Sequence, residues 1–200
     1  LGTAPNNLEG GIGQAEGFAS APTYGGDDAA HDCGTLQYVR VEYAGFAITD
    51  GNELNAITFY SCGTATTVDH VQAHMGLDDG FEWFGGGFDA SYLVATGASD
   101  DSLDIDEGFS GTLQYLLIHQ SPVVGDNGFE ISNQGDVFDA TPRTNPEICN
   151  ATVVGSGAGG EKSKGATFKE GTNAMVYATI FANPTNEALL LEDLLFQLSP

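Results

Sequence analysis

The stretch Gly80-Phe81-Glu82-Trp83-Phe84 carries the pattern that decides the fold. Its second and fourth positions are apolar, which is typical of a short β-strand that turns one face to a core. Five other segments repeat the pattern, at intervals of 22 to 26 residues except for one interval of 37. These segments begin at Ala56, Ser102, Gly128, Gly165 and Glu187.

A second family of strand-like segments alternates with the first. Its members begin at Tyr38, His70, Tyr92, Tyr115, Asn150 and Tyr177. A β-sandwich also has many short strands, but it does not require the same apolar positions to recur every 22 to 26 residues. The sequence therefore predicts an all-β fold, a right-handed single-stranded parallel β-helix with about 22–26 residues per rung.

The repeat also predicts how the chain is organised. We expect a single β-helix domain over residues 1–200, in which residues 1–32 form a partial rung and a long loop. The interval of 37 residues places a loop insertion at residues 133–146, and residues 187–200 are expected to form a terminal strand or a cap. The exposed ends of such a solenoid leave end-to-end self-association open as a further expectation.

The formal net charge of −23 limits the classes of partner. Such a surface repels nucleic acid, so no nucleic-acid partner is expected. The content of 41% hydrophobic residues argues against disorder, and no apolar run is long enough for a transmembrane segment. No leader precedes the first strands, so a secretion signal would lie outside these residues.

The three cysteines have no C-x-x-C spacing, which argues against a thiolate zinc site. Cys33 and Cys62 each precede a Gly-Thr step, and this similarity suggests related positions in neighbouring rungs. A disulfide between them is one interpretation, and it would leave Cys149 as a free thiol.

Acidic residues recur at equivalent positions of successive rungs. Because such positions lie about 4.8 Å apart, the carboxylates repel one another unless cations, protons or hydrogen-bond donors intervene. Calcium fits an all-oxygen set best, and the alternative is that these side chains cap turns. The predicted metal ligands are Asp78, Asp79, Glu82, Asp100, Asp101, Asp104, Asp106, Asp126 and Glu130.

Carbohydrate-active enzymes offer a second interpretation of the same residues. In a glycoside hydrolase or polysaccharide lyase, Asp78, Asp79, Asp100 and Asp101 would be the catalytic candidates. Gly76-Leu77-Asp78-Asp79 resembles the Gly-x-Asp-Asp step of polygalacturonases, but the companion segments of that family are missing here. The sequence therefore favours a non-catalytic protein.

Aromatic residues also recur. Tyr38, Tyr92, Tyr115 and Tyr177 form a repeating column, which we interpret as a structural stack. Tyr60 and Phe84 are predicted to face outward beside the acidic residues, where they would suit stacking against sugars.

The segments Gly34–Gly45, Asp78–Gly86 and Asp100–Asp104 resemble a widespread family of secreted bacterial β-helix proteins, often lipoproteins or surface proteins. The resemblance runs from about Ala4 onward. It implies a parallel β-helix and an extracellular or outer-surface location, but it carries over no catalytic residue. The β-helix usually begins earlier in that family, so the resemblance implies that this chain is a fragment or a cleaved product of a longer β-helix. Cys33 and Cys62 depart from the small or apolar residues expected there, which fits an added disulfide.

Together these observations predict a calcium-stabilised extracellular β-helix with a structural, adhesive or carbohydrate-binding role. Polysaccharide or cell-envelope components are the expected partners.

Overall fold

A computed structural model describes residues 1–49, 52–157 and 163–193 and shows a parallel β-helix, as the sequence predicts. In chain order the strands are β1 (Gly13–Gln14), β2 (Thr23–Tyr24), β3 (Thr35–Glu42), β4 (Phe46–Thr49), β5 (Asn52–Leu54), β6 (Ile57–Cys62), β7 (Thr67–His74), β8 (Phe81–Gly86), β9 (Ala90–Thr96), β10 (Leu103–Asp106), β11 (Thr112–His119), β12 (Asn127–Ser132), β13 (Glu147–Val154), β14 (Lys164–Lys169), β15 (Met175–Tyr177), β16 (Ile180–Ala182) and β17 (Leu190–Leu191).

Two parallel sheets carry the rungs. Sheet one has the order β6-β8-β10-β12-β14-β17, and sheet two has the order β3-β7-β9-β11-β13-β15, with β16 also paired to β13. Each strand therefore pairs with the strand that follows one rung later. Residues at equivalent positions of the sequence repeat thus lie next to one another in the sheet. The predicted strand families correspond to these two sheets.

Inward-facing side chains of sheet one stack in register along the core. The column Phe59, Trp83, Ile105, Ile131 and Phe168 follows the strand pairing directly. Trp83 and the two isoleucines are fully buried, and the rings of Phe59 and Trp83 stack with their centroids 5.6 Å apart. Burial of these side chains supplies the main stabilisation of each rung, because about 1.5–3 kcal/mol is gained for each large apolar side chain removed from water.

Most strands of sheet two are bent in the middle by a residue with positive φ. These residues are Tyr38, His70, Tyr92, Tyr115 and Asn150, with φ between 53° and 60°. Two consecutive side chains face outward at the bend, so the alternation is interrupted there. The predicted strands began at these bend residues, whereas β3, β7, β11 and β13 begin three residues earlier and β9 two residues earlier.

In the last rung the bend falls at Ala178, which has a φ of 45° and separates β15 from β16. Tyr177 pairs with Cys149, one position before the bend. The prediction that Tyr177 belongs to the tyrosine column is therefore wrong by one residue.

The N-terminal residues run across several rungs. Gly2 donates its N–H to the carbonyl of Tyr60 (2.7 Å), and Asn7 donates its N–H to the carbonyl of Glu107 (3.0 Å). The side chain of Asn7 reaches the carbonyl of Asn133 at 2.9 Å. Residues 1–32, predicted as a partial rung and a long loop, add no strand to either parallel sheet in the described part of the chain, and their hairpin β1-β2 is antiparallel.

The remaining segments decorate the rungs. Residues 133–146, predicted as a loop insertion, connect β12 to β13 without a strand of their own. Of the predicted terminal segment 187–200, β17 pairs with β14, and residues 194–200 lie outside the described part. Cys33 and Cys62 are joined by a disulfide with an Sγ–Sγ distance of 2.01 Å. Within the described residues no helix is long and apolar enough to span a membrane.

Candidate functional site

A ladder of side-chain oxygen atoms runs along the turn that leads into sheet one. Oδ1 of Asn55 accepts the backbone N–H of Asp79 at 3.2 Å. Oδ1 of Asp79 accepts the N–H of Asp101 at 2.9 Å, and Oδ1 of Asp101 accepts the N–H of Asn127 at 2.6 Å. All four side chains are buried, so each oxygen satisfies an amide that water does not reach. The turn-capping interpretation thus describes part of what Asp79 and Asp101 do.

The outward face of sheet one carries a second row of carboxylates beside this ladder. Glu82, Asp104 and Glu130 occupy the same register position of β8, β10 and β12. Parallel strands lie about 4.8 Å apart, so these side chains are close neighbours. The sequence pattern predicted this row, since each residue follows the first apolar position of its strand.

The ladder and the row together form a compact group. Carboxylate oxygens of Asp79, Glu82 and Asp104 lie within 4.8 Å of one another, and those of Asp101, Asp104 and Glu130 do so as well. Asp104 belongs to both sets. We call these five residues the acidic cluster.

The hairpin β1-β2 covers one side of the acidic cluster. Tyr24 packs against Tyr60 with ring centroids 4.8 Å apart, and Tyr60 stacks on Phe84 at 4.9 Å. Tyr60 is 8% exposed. The prediction that Tyr60 and Phe84 form an exposed sugar-stacking surface is therefore wrong, because the N-terminal residues pack over them.

Glu16 follows β1 and brings a further carboxylate to this place. Its Oε1 accepts a hydrogen bond from Nδ2 of Asn55 at 3.2 Å, and the same Nδ2 donates to Glu82. Burial is the main cause that raises the pKa of Glu16. The carboxylates of Glu16 and Glu82 interact, and the proximity of two acidic groups favours the binding of a proton or a cation there.

Electrostatics within the acidic cluster are unfavourable to ionisation. Burial, followed by repulsion from neighbouring carboxylates, raises the pKa of Asp79, Glu82, Asp101 and Asp104 well above its usual range. At the rim, burial raises the pKa of Asp78 to about 6. The cluster therefore has to bind either protons or cations in neutral solution.

Side-chain donors reach both ends of the acidic cluster, since Nδ2 of Asn55 donates to Glu82, but among the described residues a cation pairs only with the Glu130 end. Lys169 donates to Oε1 of Glu130, and Nδ2 of Asn127 donates to Oε2 of Glu130 at 3.0 Å. By contrast, Oδ1 of Asp104 is buried and has no hydrogen-bond partner among the described residues. The centre of the cluster is thus less well satisfied than its two ends.

The other predicted ligands lie around the acidic cluster. Asp78 and Asp100 form a third close group with Asp79 at the turn. Asp106 accepts the N–H of Glu107 at 2.6 Å, and Asp126 pairs with Lys164 at 3.2 Å. Neither of these last two belongs to a close carboxylate group in the described chain.

Sequence reasoning missed Asn55 and Glu16. Asn55 could have been found from the repeat. It lies two residues before β6, and Asp79 lies two residues before β8. Glu16 had none, since it lies outside the repeat and reaches the cluster through a non-periodic segment.

A second candidate site lies on sheet two. The rings of Tyr38, His70, Tyr92 and Tyr115 stack along successive rungs, with centroids 4.7, 4.4 and 4.8 Å apart. We call this stack the aromatic ridge. Tyr38 is 78% exposed, and Tyr92 and Tyr115 are each 45% exposed. The tyrosine column is thus a stack, as interpreted from the sequence, with His70 as a member that the sequence did not suggest.

A groove of about 480 Å³ follows the aromatic ridge. Its other wall includes the outward side chains Arg40, Gln72 and Val94. The guanidinium of Arg40 donates to Glu42 and, at 2.9 Å, to Oε1 of Gln72. The groove therefore combines apolar ring surface with hydrogen-bonding groups at its edge.

The two parallel sheets and their rungs define a β-helix. Its candidate sites, the acidic cluster and the aromatic ridge, lie on the outer faces of the solenoid. The chain belongs to the family described as the pectate-lyase-like beta helix domain, whose model matches residues 1–194. No curated protein and no solved structure matches this chain.

Proposed function

We propose that this protein is a non-catalytic carbohydrate-binding β-helix that holds a neutral glycan in the groove beside the aromatic ridge. The observation that carries the proposal is the continuous stack of Tyr38, His70, Tyr92 and Tyr115 on a solvent-facing groove. A contiguous exposed apolar surface of this kind is a common mark of a binding site.

The composition of the groove fits the chemistry of a sugar. A pyranose offers apolar C–H faces and a rim of hydroxyl groups, so it needs ring surface and hydrogen-bonding side chains together. The ridge supplies the rings and their hydroxyls, and Arg40 and Gln72 supply polar atoms opposite. The groove volume of about 480 Å³ lies within the usual range for small-molecule sites.

Charge favours a neutral glycan over an acidic one. The net charge of −23 repels polyuronates. The cation in the groove, Arg40, is already paired with Glu42, so it does not offset that repulsion.

The hydrogen bonding of the aspartates supports binding over catalysis. Asp79 and Asp101 are two of the four candidates of the enzyme interpretation, and each accepts a backbone N–H of the next rung and is less than 8% exposed. A general acid or base has to reach the substrate.

An extracellular or outer-surface location is part of the proposal. The disulfide between Cys33 and Cys62 supports it, since such bonds persist in oxidising compartments. A structural or adhesive role at the cell envelope would follow from glycan binding at this surface.

Affinity electrophoresis and calorimetry against soluble polysaccharides test the proposal. The panel contains neutral xylans, mannans and β-glucans, together with polygalacturonate as the acidic comparison. We expect that a neutral glycan retains the protein and that Tyr92→Asn binds it at least tenfold more weakly, because the variant loses one ring of the aromatic ridge. Asn is chosen because the protein itself has an asparagine at the equivalent bend, Asn150.

Tyr43→Asn is the matched control. Tyr43 is also exposed and also has a φ of 53°, but it does not line the groove. Equal loss of binding in both variants, or no retention of the unmodified protein by any neutral glycan, would overturn the proposal.

A further inference from the structure

Asp104 occupies the centre of the acidic cluster and is the least satisfied of its members. Its Oδ1 is buried and accepts no hydrogen bond from the described residues. A buried carboxylate oxygen without a donor is costly, since folding removes its water and supplies nothing in exchange. This atom therefore points to a ligand that supplies positive charge.

The neighbours of Asp104 form a close set of carboxylate oxygens on each side of it. On one side its carboxylate lies within 4.8 Å of Asp79 and Glu82, and on the other side within 4.8 Å of Asp101 and Glu130. Asp79, Glu82 and Asp101 are each at least nine-tenths buried. Ionised carboxylates this close repel one another, and the repulsion is stronger in a buried site than in water. Five such groups are not compensated by Lys169, which reaches Glu130 alone.

We propose that the acidic cluster is a calcium site centred on Asp104, on the face of sheet one away from the aromatic ridge. Every ligand is a carboxylate oxygen, which suits a hard cation, and no thiol or imidazole belongs to the group. Calcium accepts six to eight oxygens in irregular geometry, whereas magnesium demands a near-ideal octahedron.

The position of the site gives the ion a structural role. One close set takes its ligands from the rungs of β8 and β10 and the other from the rungs of β10 and β12, so an ion in either set ties two successive rungs together. Nδ2 of Asn55 donates to both Glu16 and Glu82, which extends the connection to the hairpin β1-β2. Calcium binding is therefore expected to stabilise the rungs and the N-terminal cover as one unit.

Calorimetry and thermal unfolding of the full chain, first freed of divalent ions with a chelator, test the site. We expect heat of binding with calcium and a rise in Tm of more than about 5 °C at millimolar calcium, because an ion that binds only the folded state stabilises it by mass action. Trp83 is the sole tryptophan and is fully buried, so its fluorescence reports unfolding.

Asp104→Asn is the decisive variant. It should abolish the calcium-induced rise in Tm, while its Tm in chelator stays equal to that of the unmodified protein or exceeds it, because one buried repulsive charge is gone. A substitution that merely damages the fold would instead lower the Tm in chelator. Asp139→Asn removes an exposed carboxylate elsewhere and should leave the calcium effect unchanged.

Glu130→Gln is the second variant, should Asp104→Asn yield little folded protein, and it should also weaken calcium binding at least tenfold. Absence of any heat or Tm shift for the unmodified protein with calcium up to 10 mM would overturn the proposal. So would a full calcium effect in either variant, or a larger effect of magnesium than of calcium. Glycan binding by the groove is measured in a separate experiment, so the failure of one proposal does not decide the other.

Discussion

Oδ1 of Asp79 accepts the backbone N–H of Asp101, the residue that occupies the same position one rung later, at 2.9 Å. The same carboxylate lies within 4.8 Å of Glu82 and Asp104 in the acidic cluster. A single side chain thus supports the turn of the next rung and contributes to the candidate metal site. Asn55 performs the first task without a charge, so the charge of the aspartates in the following rungs is not explained by turn capping alone.

Substitution of the ladder residue Asp101 separates its two tasks. In chelator, Asp101→Asn should raise the free energy of unfolding, because the amide oxygen still accepts the N–H of Asn127 while a buried charge is removed. Asp101→Ala should lower it by about 1–3 kcal/mol, because that amide then lacks a partner. Urea unfolding followed by Trp83 fluorescence measures both. If Asp101→Asn destabilises the protein as much as Asp101→Ala, the carboxylate charge itself contributes to stability.

The repeat made the fold predictable from the sequence. Strand pairing in a parallel solenoid follows from equivalent positions, so the periodic apolar residues around Trp83 were sufficient to identify sheet one. The bends in sheet two were not predictable, because a tyrosine or histidine at positive φ, such as Tyr92 or His70, has no composition signal of the kind that glycine provides.

The acidic cluster was predictable in part for the same reason. Glu82, Asp104 and Glu130 share one register position and were recognised by spacing. The hairpin that buries Tyr60 and brings Glu16 to the cluster lies outside the repeat, and contacts of this kind depend on non-local packing. The sequence therefore could not show that these carboxylates are buried, and it is their burial that makes the ionised form unfavourable without a cation.

The disulfide should contribute strongly to stability. Cys33 and Cys62 are 29 residues apart, and closing a loop of that size stabilises a folded protein by about 3–4 kcal/mol relative to the reduced chain. The double variant Cys33→Ser/Cys62→Ser should lose about this amount in urea unfolding, and reductant should then have no further effect. Cys149→Ser, which removes the free thiol, should change stability much less. Equal losses in the two proteins would contradict the assigned pairing.

Tight packing inside the rungs predicts a large loss of stability when a core side chain is shortened. Ile105 is fully buried between Trp83 and Ile131 in the core column. Ile105→Ala should lower the free energy of unfolding by about 2–5 kcal/mol, and Ile105→Val by about 0.5–1.5 kcal/mol. Val123→Ala, at a position that is 68% exposed, should have almost no effect. A loss below 1 kcal/mol for Ile105→Ala would mean that neighbouring rungs close the cavity.

The pH dependence of stability should reveal the burial of Glu107. Burial raises the pKa of this glutamate to about 7, although the hydroxyl of Tyr24 donates to its Oε2 at 2.8 Å and acts in the opposite direction. In the unfolded chain the same group has a pKa near 4.5. Between these values the folded protein holds a proton that the unfolded chain has lost, so the contribution of Glu107 is complete below about pH 4.5 and is lost as the pH rises through 7.

Glu107→Gln isolates this contribution from those of the other carboxylates. In chelator, the variant should match the unmodified protein near pH 5 and should exceed its Tm by several degrees at pH 8, because glutamine cannot become charged. Melting curves between pH 4.5 and 8.5 measure the difference, and Glu9→Gln on the same N-terminal segment provides an exposed control. A difference in Tm that stays constant over this range would show that Glu107 does not bind its proton more tightly in the folded protein than in the unfolded chain.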